Sequence, residues 1–89
     1  MTTVEIKADK VVLACKQALL QAEDDVVMAI KEVDQTDVGS IFWVSHMARC
    51  TRCHDNVNWL KSMIAAAEAS EGVVTMSVED VGRIKEGLK

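Results

Sequence analysis

Residues 43–67, WVSHMARCTRCHDNVNWLKSMIAAA, decide the fold. Trp43, His46, Cys50, Cys53, Val57, Leu60, Ile64 and Ala67 recur at steps of three and four, which on a helix makes one narrow apolar seam. A seam of this kind needs a second helix against it. The same stretch also carries the Cys and His chemistry of the chain, so a core seam and a ligand cluster compete for the same residues.

Working outward toward the N-terminus, Val4, Ala8, Val11, Cys15, Ala18, Ala22, Val26, Ile30 and Val33 show the same spacing and predict a first helix over about residues 4–33. Small residues at several of these positions allow a neighbouring helix to approach closely. Ile6, Leu13, Leu20 and Val27 stand seven apart on the opposite side, which makes them candidate interface residues. Between the two periodic segments, DQTDVGS (34–40) is polar and contains Gly39, so it is read as the reversing loop, with Thr36, Asp37 or Ser40 capping the second helix. That helix is then expected over about 37–70, antiparallel to the first. The pairing places the acidic run Glu23, Asp24 and Asp25 beside Arg49 and Arg52.

AEASEG ends the second helix, with Gly72 suited to a left-handed conformation. VVTM (73–76) reads as an apolar connector. Ser77, with Glu79 and Asp80 just after it, opens a third helix over about 78–88, with Val78, Val81, Ile84 and Leu88 on one face. Off the main seam, Trp59 and Met63 lie one turn apart and form either a contact surface or the floor under this third helix.

Composition supports an all-α class. The 89 residues include no proline and four glycines, little of the punctuation a multi-stranded β protein needs. The expected architecture is a single domain, a long antiparallel helical hairpin plus a short C-terminal helix, packed as an oligomeric bundle because so short a chain buries only a modest share of its surface. A net charge of −4 argues against a nucleic-acid partner. No stretch approaches the ~20 apolar residues needed to span a bilayer, and charges interrupt the N-terminus, so no membrane is expected and the location is read as cytoplasmic. Three cysteines without an export signal read as reduced thiols.

The chemistry-bearing residues are His46, Cys50, Cys53 and His54. Cys50-Thr-Arg-Cys53-His54 matches the CxxCH attachment pattern of c-type haem. It is similar to the motif near the end of the last helix in some helical-bundle cytochromes, from which this chain departs by continuing its helix past it. Two thiolates and two imidazoles are also a suitable set for zinc, although four ligands from one helix do not make the usual two-segment tetrahedral site. Neither a phosphate-binding glycine loop nor a GxSxG, HExxH or paired-carboxylate motif is present, so no catalytic residues are assigned. The expectation is a small non-enzymatic protein–protein interaction module, a regulator, inhibitor or adaptor that binds itself and another protein and requires no cofactor. The alternative is a metal- or haem-binding helical protein that uses the Cys50–His54 cluster.

Overall fold

A computed structural model of the chain describes residues 2–87. The order of elements is β1 (Thr3–Lys7), α1 (Ala8–Asp34), α2 (Trp43–Ala69), β2 (Val73–Ser77) and α3 (Val78–Gly87). The two long helices pack side by side as an antiparallel hairpin and the short third helix docks chiefly on α1, giving a particle of 50 × 25 × 21 Å.

The hairpin has the expected seam. Val11, Cys15, Ala18 and Ala22 of α1 are buried against Val57, Leu60 and Ala67 of α2. Toward the loop the pattern departs from expectation. Ala29 takes the buried position and Ile30 turns outward, because at ~100° per residue Ala29 stays in line with Ala18 and Ala22 while Ile30 falls to one side. Thr36, a candidate cap for α2, closes α1 instead, its hydroxyl donating to the Glu32 carbonyl at 2.7 Å. Ser40 makes the turn into α2, accepting the Phe42 amide on its hydroxyl at 3.2 Å. The longer loop shifts the pairing of the two helices by about one helical turn from the register expected from a loop at 34–40.

The all-α expectation is corrected at the end of the hairpin away from the loop. Residues 3–7 are a strand, although 4–7 are expected from sequence in the first helix, and VVTM, read as a connector, lies in its antiparallel partner. The register pairs Val4 with Met76 and Ile6 with Val74, so one face of this two-stranded sheet turns Ile6, Val74 and buried Met76 toward the helices. Thr3, Glu5, Lys7, Val73 and Thr75 occupy the outer, alternate positions. Gly72 leads into β2 at φ +95°, and its carbonyl accepts the Ala8 amide at 2.9 Å, which ties the start of α1 to the exit from α2. Ser77 caps α3 as expected, its hydroxyl accepting the Asp80 amide at 3.1 Å. Ile84 is the buried residue of α3 and Val81 is half-buried, whereas Val78 faces outward and Leu88 lies outside the described residues.

Burial is therefore uneven along the hairpin. The sheet, α3 and the first half of α1 gather most of the core, while the loop half has only two helices to cover its apolar residues.

Candidate functional site

Three groups of residues come out of this fold. The first is polar and joins the helices in the loop half. Glu32 of α1 accepts a hydrogen bond from the Arg49 guanidinium at 2.5 Å and lies 3.3 Å from Nδ1 of His46, both on α2. Arg49 holds the Glu32 carboxyl below its ordinary value, and the nearby His46 acts in the same direction. The acidic partner of Arg49 is thus Glu32, one of the acids closest to the loop. The expected neighbourhood survives in part, since Asp25, Arg49, Arg52 and Cys53 line one surface hollow.

The second group is the Cys and His cluster. His46 is turned to Glu32, Cys50 and Cys53 are half-buried free thiols, and His54 is exposed in a separate hollow with Glu23, Val26 and Lys61. CxxCH stays on one helix, and α1 adds no Cys or His beside it: its one cysteine, Cys15, is buried in the core nearer the sheet. Among the described residues, no group of three or more His, Cys, Asp or Glu side chains is placed to hold a metal ion.

The third group is apolar. Leu13 and Leu20 are 61% and 70% exposed on the side of α1 away from α2, and Val27, 51% exposed, continues the stripe to the edge of the hollow that holds His54. Ile6, expected to begin this stripe, lies on β1 and is half-buried against the core. Trp59 and Met63 also pack on the core, and Arg83 of α3 lies 4.1 Å from the centre of the Trp59 ring, so α3 reaches over this tryptophan. The loop adds a patch that sequence reasoning assigned to a helix start: Ile41 is 84% exposed and Phe42 62%, with Val38 and Val44 also exposed. The signal was there in the apolar residues flanking Gly39 and Ser40.

Among the described residues no helix is long and apolar enough to cross a membrane. The arrangement offers apolar contact surface along α1 and at the loop, and a charged contact between the helices. No family model, curated protein or solved structure matches the chain, and function is read from these surfaces alone.

Proposed function

We propose that this chain is a small, non-enzymatic, cytoplasmic protein–protein interaction module, a regulator, inhibitor or adaptor that works as a homo-oligomeric helical bundle. The observation that carries the reading is the exposed Leu13, Leu20 and Val27 stripe, three large aliphatic side chains in register that neither α2, α3 nor the sheet covers. The surface area supports it. The chain exposes 6158 Å², about 1,000 Å² more than the roughly 5,200 Å² of a compact monomer of its mass. A standard interface removes about 800 Å² from each partner.

The charges flanking the stripe favour one geometry. Lys16 and Glu23 lie on the same flank and are exposed. An antiparallel pairing of two α1 helices about Leu20 sets Leu13 against Val27 and Lys16 of one copy beside Glu23 of the other. A parallel pairing brings Glu23 toward Asp24. The interface is therefore isologous, closed by a two-fold axis.

Light scattering after size exclusion tests the reading. Wild-type protein is expected to run as a dimer at high micromolar concentration and Leu13→Glu/Leu20→Glu as a monomer that keeps its helical signal. Lys16→Glu should weaken the dimer a few-fold, and adding Glu23→Lys should restore it, since exposed pairs contribute about 0.2–1 kcal/mol each. A monomeric wild type, or a double glutamate variant of unchanged mass, removes the proposal.

A further inference from the structure

A groove on the other side of α1 has a chemistry that self-association does not use. Ile6, Val11, Ala14, Met76, Val81 and Ile84 wall about 230 Å³ where α3 meets α1 and the inner face of the sheet. Two further residues complete the lining, Lys10 from the first turn of α1 and Lys85 from the last turn of α3, both exposed. Among the described residues neither lysine is in a salt bridge. Lys10 and Lys85 lend the groove their aliphatic stems, its lining being almost wholly apolar, and both side chains are exposed, so two ammonium groups are within reach of its mouth in a chain whose net charge is −4.

We propose that this groove binds a medium-chain carboxylate, its tail against Ile6, Met76 and Ile84 and its head between Lys10 and Lys85. Size sets the tail. An apolar cavity of ~150 Å³ accepts benzene, so 230 Å³ holds a tail of on the order of eight to ten carbons. Charge sets the head, since a carboxylate on the lysines gains charge-assisted hydrogen bonds that an alcohol cannot match and a quaternary ammonium is repelled. The groove is open on one side, so entry needs no rearrangement of the fold. Tail burial supplies the affinity and the lysines the selectivity.

Calorimetric titration with decanoate, kept below its micelle concentration, tests the proposal. One decanoate per chain is expected, with decanol and decyltrimethylammonium weaker by about tenfold or more. Lys10→Glu/Lys85→Glu changes two exposed side chains, so it should keep the wild-type circular dichroism and melting temperature and lose decanoate binding by a similar factor. Ala14→Phe, which fills the groove, should abolish it. No saturable binding at millimolar decanoate, equal binding of the cationic analogue, or unchanged affinity in the charge-reversed variant overturns the proposal. So does binding of an acidic peptide with one apolar anchor in the absence of decanoate binding, which assigns the groove to a protein partner.

Discussion

At the residue scale, the three cysteines divide by environment. Cys15 is fully buried, and desolvation pushes its thiol above the ordinary value, whereas Cys50 and Cys53 are half-buried on α2. The thiolate is the reactive form, so alkylation of native protein and then mass spectrometry should show label on Cys50 and Cys53 first and on Cys15 only after unfolding. Equal labelling of all three would contradict this packing. Glu32 gives a pH dependence. Its carboxyl is held below the ordinary value by the Arg49 hydrogen bond, so the folded state favours its charged form. That contribution is fully present above the ordinary carboxylate value and is lost as pH falls through the lowered one. Urea denaturation at neutral and acid pH should show Glu32→Gln losing less stability on acidification than wild type. The difference will be small because the pair is exposed. Arg49 was legible as a cation facing acids, but the choice of Glu32 over Asp25 was not: it depends on where the loop ends, and the caps Thr36 and Ser40 decide that by which backbone groups they bond.

At the element scale, the seams of α1 and α2 were readable because helical spacing held for seven turns, long enough that no other period fits. The strands were hidden by length. In TVEIK, Val4 and Ile6 alternate as a strand requires, yet Val4, Ala8 and Val11 equally continue a helical seam, and five residues cannot separate the two periods. VVTMS has the same ambiguity, and its partner lies at the far end of the sequence, where no local pattern points to it. Gly72 was the one signal at this junction, since a chain leaving α2 and turning at once into β2 needs positive φ. Nothing crowds its missing side chain, so Gly72→Ala isolates backbone strain and should cost about 1 kcal/mol, read as a lower urea midpoint with unchanged slope. No loss would mean that the turn does not depend on the left-handed conformation.

At the scale of the whole molecule, the candidate surfaces differ in how far the sequence exposed them. The Leu13, Leu20 and Val27 stripe shows as a seven-residue repeat. The groove at Lys10 and Lys85 does not, because four separate elements form it and neither lysine stands near the other in the chain. The antiparallel pairing of Thr3 with Ser77 and Lys7 with Val73 has a kinetic consequence as well. Contacts near the loop join residues close in sequence and close early, whereas the strands must bring together segments separated by the entire hairpin, with the largest loss of chain entropy. The sheet is therefore expected to act as a latch that engages after the transition state. Weakening it leaves the rate of folding nearly untouched and speeds escape from the native state, so the strands set the lifetime of a hairpin whose arrival they do not control.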